Sequence, residues 1–340
     1  MQSRPQRRDF IVLLLMVSMM FVFCRQDPGA QSQGCKQLPV HLSHLGAIVR
    51  GDTTRPELAL IFTGGDYSDG GNTIRTVLQK KQILAGFFFT GQFYRQPQNT
   101  ALIRGLIADG HYLGPHSDQH LLYCDWSNRD SLLVNREEFF ADLDANYAAM
   151  AMFGIERNKA SVFIPPYEWY NATIADWAKD AGAVLINFTP GTLSHADYTT
   201  PEMTSYRSSA EILNSIYCHE KKSPSGLNGF ILLMHIGTAP QRTDKLYNHL
   251  SSLIDALGKN GYRFTRIDRM LPYESIVPKN CAHFHFSSQC RRRALFSPTP
   301  GSRAFGKGTG SFTGHSRPEW TVVATNPFQS TGACGLGKNR

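Results

Sequence analysis

The chain has no C-x-x-C pair, no G-x-G-x-x-G after its first strand-like run and no P-loop. The missing glycine fingerprints remove the main support for nucleotide or dinucleotide binding. Of its seven cysteines only Cys35, Cys124 and Cys218 lie in the body of the sequence, and an odd total without paired spacing argues against both a zinc ribbon and a disulfide framework. Basic charge is scarce where a nucleic-acid surface would need it. The net charge of +8 sits at the ends: residues 276–340 hold nine Lys and Arg against Glu319 alone, and residues 1–25 hold four against Asp9. Residues 26–275 are left with 22 basic and 25 acidic side chains, a mildly acidic body that implies no nucleic-acid partner.

What is present starts with Arg4, Arg7 and Arg8, followed by "FIVLLLMVSMMFVF" at 10–23, the length of a signal-peptide apolar core and short for a membrane span. Residues 1–30 are expected to be a signal peptide. Its removal would leave no stable membrane span and place the protein in the periplasm or at the cell surface. Beyond Tyr273 the chain carries "RRR" at 291–293 and a stretch of scattered Gly, Ser and Pro without a period, so 274–340 is expected to be a disordered or non-native basic tail. Between these ends the pattern is unbroken and predicts one domain over 40–273.

That domain alternates apolar runs with helical periodicity. Strands are predicted at 58–63, 85–90, 111–114, 161–164, 183–188, 229–236 and 262–267, and helices at 72–82, 99–109, 135–153, 171–181, 208–219 and 243–260, several starting near an Asn or Ser cap. Strand alternating with helix implies right-handed β-α-β units and a parallel sheet covered on both faces. Seven strands suit either a closed barrel or an open doubly wound sheet. Residues 190–210 form a long polar connection, of the kind that usually carries function.

In either architecture the chemistry gathers at the strand C-termini. Reading only there, the first strand leads to Asp66 and Asp69, the third to "PHSDQH" at 115–120, the fourth to "PPYEWYN" at 165–171, the fifth to "TPGT" at 189–192, and the sixth ends at His235. His116 and His120 are four apart, so a helical turn would point both imidazoles to one side. With Asp66 they make a two-His, one-carboxylate set with open positions for water, suited to Zn²⁺ or another divalent first-row metal. Trp126, Trp169, Tyr170 and Tyr123 lie near these motifs as surfaces on which sugar rings could stack.

These motifs resemble the polysaccharide deacetylases, the NodB-homology group of carbohydrate esterase family 4. "HSDQH" matches the family's H-S-x-x-H motif, "PPY" at 165–167 the end of R-P-P-Y, and "LLMH" at 232–235 its L-x-H motif, in the family's order along the chain. The resemblance implies a deformed (β/α) barrel of about seven parallel strands, a divalent metal held by Asp66, His116 and His120, and removal of N- or O-acetyl groups from sugars. It also makes His235 the catalytic acid, Tyr167 the contributor of a backbone N–H to the oxyanion, and Pro166, Trp169 and Thr192 substrate neighbours.

The first motif departs from the family pattern. The family has T-F-D-D, in which the first Asp is the general base and the second a metal ligand. Here "FTGGD" puts Gly65 at the base position, and Ile164 replaces the Arg that pairs with that base. The two losses are physically consistent, because an Arg without its carboxylate would be an unpaired charge near a site. The family's Asp-containing fourth motif is replaced as well, by "NFTPGT" at 187–192. A proton acceptor is then expected from Asp69, or from Asp66 if it is not a ligand, with Glu168 a further candidate. Two other readings stand beside the deacetylase: a carbohydrate-binding pseudoenzyme of the same fold, and a hydrolase of non-peptide C–N bonds on a non-sugar substrate.

Overall fold

A computed structural model of the protein describes residues 42–271. The expected signal peptide and basic tail lie outside them. Strands β3 (Glu57–Gly64), β4 (Gly86–Phe89), β5 (Tyr112–Pro115) and β8 (Phe230–His235) form the parallel centre of the main sheet in the order β8-β3-β4-β5. Strand β9 (Arg263–Phe264) pairs with the start of β3. Strands β6 (Val162–Phe163) and β7 (Val184–Leu185) form a second parallel pair.

Two seams bring the pair and the main sheet into one curled wall. On one side the Ile164 N–H approaches the Pro115 carbonyl, 3.5 Å away. On the other, Ile186 bridges Ile48 and the Asn187 N–H donates to the Ile48 carbonyl at 3.0 Å. Ile48 belongs to an antiparallel addition that the sequence reading missed, the hairpin β1 (Leu42–His44) and β2 (Ala47–Arg50), which reaches β8 through Arg50 and Phe230. Its turn residues Leu45 and Gly46 both take positive φ, +46° and +85°, a left-handed pair of the kind tight hairpins need.

Successive side chains of a strand point to opposite faces, and the core divides accordingly. Ala59, Ile61, Phe88, Tyr112, Val162, Ile164, Ile186, Ile231 and Leu233 fill the inside of the curled wall, with Ile267 and Leu271 packed into the same cluster. Their neighbours Leu60, Phe62, Phe87, Phe89, Phe163 and Leu232 pack outward under the helices. Burial on both faces is why the strands read as continuous apolar runs, each large side chain contributing about 1.5–3 kcal/mol. The architecture is the expected deformed barrel, with β8, β3, β4, β5 and β9 parallel in the main sheet and β6 parallel to β7 in the pair.

The helices are α1 (Gly71–Lys81), α2 (Gly91–Arg95), α3 (Thr100–Ala108), α4 (Arg136–Ala151), α5 (Ala172–Asp180), α6 (Ser209–Lys222), α7 (Leu250–Lys259) and α8 (Ile267–Met270). Their starts follow the predicted caps. Asn135 and Glu138 form a reciprocal capping box at α4, Ser208 and Glu211 another at α6, and Asn171 caps α5. Such caps are typically worth about 1 kcal/mol each. None of the described helices is long and apolar enough to cross a membrane.

Candidate functional site

The strand ends converge on one rim, and the best-organised part of it is the loop 116–120 after β5. No helical turn forms there, contrary to the reading of the four-residue spacing. Ser117 and His120 instead take φ of +69° and +57°, and these two left-handed residues bring the imidazoles of His116 and His120 to ring centroids 5.0 Å apart. Each such conformation costs on the order of 1 kcal/mol or more, so the surroundings must enforce it.

Helix α4 does so with two residues four apart on its buried face. The Asn146 side-chain oxygen accepts the His116 N–H at 2.8 Å, while its amide donates to the Phe89 carbonyl at 3.2 Å. Asp142 accepts the N–H groups of Asp118 and Gln119 at 3.1 and 2.9 Å, and the Tyr123 hydroxyl at 3.3 Å. Asp118 is itself buried and held by Arg95 of α2 through two contacts, 2.7 and 2.9 Å. The sequence predicts α4 but not its role, because Asp142 and Asn146 look like ordinary polar positions until the helix faces the loop.

His116 is buried, and its Nδ1 lies 2.9 Å from the Ile164 carbonyl oxygen. A carbonyl can only accept, so Nδ1 carries the proton and Nε2 keeps its lone pair. Burial and the neighbouring His120 and His235 push the ring well below the ordinary histidine range, against the smaller upward pull of the Ile164 carbonyl. A neutral imidazole with its second nitrogen tied to a backbone oxygen is the form that binds a metal.

Asp66 stands on the exposed loop after β3. Among the described residues no three His, Cys, Asp or Glu side chains are gathered into a metal-holding group. Donor chemistry still fits a divalent ion, with the neutral His116 imidazole, the His120 ring beside it and a carboxylate on the adjoining loop.

Asp69 has a different environment from the one its sequence position suggests. Its Oδ1 accepts the Thr238 N–H at 2.8 Å, and its Oδ2 meets the Tyr247 hydroxyl at 2.8 Å and the Lys245 ammonium at 2.9 Å. Burial alone would raise its pKa, but the donors from Lys245, Tyr247 and Thr238 hold it below the usual carboxylate value. A carboxylate so engaged pins its loop to the segment after β8 and is a poor proton acceptor, which argues against the general-base role expected for it.

At the end of β8, His235 Nδ1 lies 2.6 Å from Asp197 Oδ1, and the His235 N–H donates to Asp197 Oδ2 at 2.9 Å. Burial would lower His235, but the charge and hydrogen bond of Asp197, aided by Glu168, raise it. Asp197 lies in a 3-10 segment, Ser194–Tyr198, inside the polar connection 190–210. The sequence reading flagged that connection but not this residue. Fully buried Arg242 straps the connection in place, donating to the carbonyls of Thr199 at 2.7 Å and Arg207 at 2.9 Å. His195 also lies here, pushed down to about 4 by burial and by His235.

The segment after β6 is strained. Tyr167 and Glu168 take φ of +58° and +54°, two consecutive left-handed residues that are not glycine. The Asn187 amide holds the Glu168 carbonyl at 2.8 Å. Burial pushes the Glu168 carboxyl up to about 7, with His235 drawing it down and Asp197 adding to the rise. The Tyr167 ring packs on His120, centroids 4.3 Å apart, and edge-on to Trp126 at 5.6 Å.

Of the expected substrate neighbours, Tyr167 is well exposed and Pro166 is buried beneath it. Trp169 lies against the Arg129 guanidinium at 3.5 Å and Trp126 at 5.3 Å, and gives its indole N–H to the Asp125 carbonyl at 3.2 Å, so it braces the exposed Trp126. Thr192 is buried with its hydroxyl turned to Ser194, 3.4 Å away, which makes it a packing residue of the connection. Tyr123 and Tyr170 are buried as well.

Comparison with known proteins agrees with this fold. Residues 50–186 match the polysaccharide deacetylase family model, a span that includes the H-S-x-x-H loop and stops short of His235. A peptidoglycan-N-acetylglucosamine deacetylase of Bacillus cereus is 23% identical over 220 residues, covering 64% of this chain and 89% of the relative. An uncharacterized 30.6 kDa protein of Geobacillus stearothermophilus is 23% identical over 232 residues, 68% of this chain and 76% of that one. Among solved structures, a carbohydrate esterase family 4 pseudoenzyme from Bacillus anthracis superposes with a TM-score of 0.52 at 16% identity, over 67% of this chain and 69% of that one. A mutant of a pseudoenzyme of that family, described as having restored enzymatic activity, matches equally at 0.52 with 17% identity, over 67% and 72% of the two chains. The chain is thus similar over residues 50–186 to the polysaccharide deacetylase family, and its barrel shares the fold of carbohydrate esterase family 4 structures.

Proposed function

We propose that the protein is an exported, metal-dependent deacetylase that removes acetyl groups from N- or O-acetylated sugars of a polysaccharide or glycan. The observation that carries this is the pairing on one rim of His116 and His120, the first with a fixed tautomer, with a His235–Asp197 dyad within electrostatic reach. The Bacillus cereus relative's substrate supports an acetylated glycan, and the apolar N-terminal stretch supports export to the periplasm or cell surface.

In this reading His116, His120 and Asp66 hold a divalent ion, with Zn²⁺ the expected one. When bound, such an ion polarises a carbonyl and activates a water. The chain's own residues do the rest. Asp197 keeps His235 protonated and oriented so that Nε2 faces outward and gives a proton to the leaving sugar nitrogen or oxygen. Tyr167, fixed in its left-handed turn, and Trp126 form the exposed aromatic wall beside His120, a surface suited to the apolar face of a sugar ring.

Gly65 and Ile164, at positions where the family pattern has a carboxylate and an arginine, favour a second reading, a glycan-binding protein of the same fold without turnover. Metal analysis of the purified protein beside a screen for acetate release from chitooligosaccharides, peptidoglycan fragments and O-acetylated xylan separates the two. Bound metal with acetate release supports the enzyme, whereas glycan binding with no release supports the binding protein.

A further inference from the structure

The family's general base is absent at Gly65, and Asp69 is occupied by three donors. We propose that Glu168 is the proton acceptor of this site, aimed at the reacting water by the left-handed turn at 167–168 and coupled to His235. The inference rests on the deacetylase reading and assigns it a proton acceptor.

Placement carries it. Glu168 follows Tyr167, whose ring touches His120. Its carboxyl is in electrostatic contact with His235 at the end of β8 and with Asp197 and Tyr198 in the 3-10 segment. Glu168 is therefore the chain neighbour of the residue that packs on His120 and is in electrostatic reach of the His235–Asp197 dyad. The two consecutive left-handed residues are a conformation that persists only where the surroundings impose it, and Asn187 clamps the Glu168 carbonyl. Burial adds the right chemistry, because a carboxyl raised to about 7 is a far better base than an ordinary one and still ionises near neutral pH.

The step balances without another reactant. Glu168 takes a proton from water as the water oxygen bonds to the acetyl carbonyl carbon and the carbonyl π electrons move onto its oxygen. That oxygen re-forms the carbonyl, the C–N or C–O bond breaks, and His235 passes its proton to the leaving atom. Acetic acid departs, and the proton on Glu168 returns to His235, which restores both groups.

The test compares wild type, Glu168→Gln and Glu168→Asp as full-length proteins, with metal content measured and tetra-N-acetylchitotetraose and O-acetylated xylan as probes. In wild type an infrared pH titration should show a carboxyl ionising near neutrality, and that signal should vanish in Glu168→Gln. The Gln variant should lose about 10²- to 10⁴-fold in kcat, with KM and bound metal unchanged and the acidic limb of the pH profile gone, and Glu168→Asp should recover part of the rate. Full kcat and an unchanged acidic limb in Glu168→Gln would overturn the role of Glu168 and leave the deacetylase standing. No acetate from metal-loaded wild type on either probe would overturn the deacetylase reading and this role with it.

Discussion

His116 gives its Nδ1 proton to the carbonyl oxygen of Ile164, 2.9 Å away, so the position where the family pattern loses an arginine still orients the histidine that faces the rim. If that histidine is a ligand, His116→Ala and His120→Ala should each lower metal affinity at least about tenfold, since even residues behind a ligand are worth that much. Asp142→Ala should also weaken metal binding, and destabilise the fold, by freeing the N–H groups of Asp118 and Gln119. Competition against a chromophoric chelator reads the affinities, and unchanged stoichiometry and affinity in both histidine variants would remove the site.

Asp197→Asn should preserve the shape around His235 and remove the charge that raises it. The acid form of His235 would then be lost at lower pH. The basic limb of the pH–rate profile should move toward acid, and the rate at its optimum should fall by about 10²-fold or more. An unmoved limb would mean that His235 does not act as the acid.

Glu168 should cost the native state stability. Its folded value of about 7 lies above the ordinary 4.5. Between those values the native state binds more protons than the unfolded one, so its contribution is fully present below pH 4.5 and lost as pH rises through 7. Glu168→Gln should therefore be more stable than wild type at pH 8, on the order of 2–3 kcal/mol, and gain nothing at pH 4.5. Urea unfolding at the two pH values checks this, and equal stability at pH 8 would mean that Glu168 ionises as an exposed carboxylate.

Restoring the family pattern should be asymmetric. A Cβ at Gly65 would meet only Thr90 Cγ2, at 3.7 Å, and Oγ1, at 4.0 Å, so Gly65→Asp fits. Ile164 is fully buried in the barrel interior, and Ile164→Arg alone would place an unpaired guanidinium there, costing about 3–5 kcal/mol. The double variant should recover part of that loss and release acetate faster than either single change. Melting temperatures and acetate assays on the four proteins test it, and strict additivity would show that the two side chains do not meet.

Much of this was legible in the sequence, for identifiable reasons. Strands β3, β4, β5 and β8 were plain because both of their faces are covered. The H-S-x-x-H loop and His235 were visible because they sit at strand ends. The β1–β2 hairpin was missed because its turn is Leu45-Gly46 rather than Asn-Gly, and α2 because it spans a single short turn after β4. The spacing of His116 and His120 suggested a helix, while the chain meets the same need with two left-handed residues, which no periodicity reveals. Asp197 was hidden among polar neighbours, and only its burial against His235 singles it out.

The most direct test of the central claim is acetate release by the purified protein from N- and O-acetylated glycans, before and after removal of bound metal and after adding Zn²⁺ back. The account predicts release that stops on chelation, returns with the ion, and is lost in His116→Ala. Metal-loaded protein that binds these glycans but liberates no acetate from any of them would contradict it.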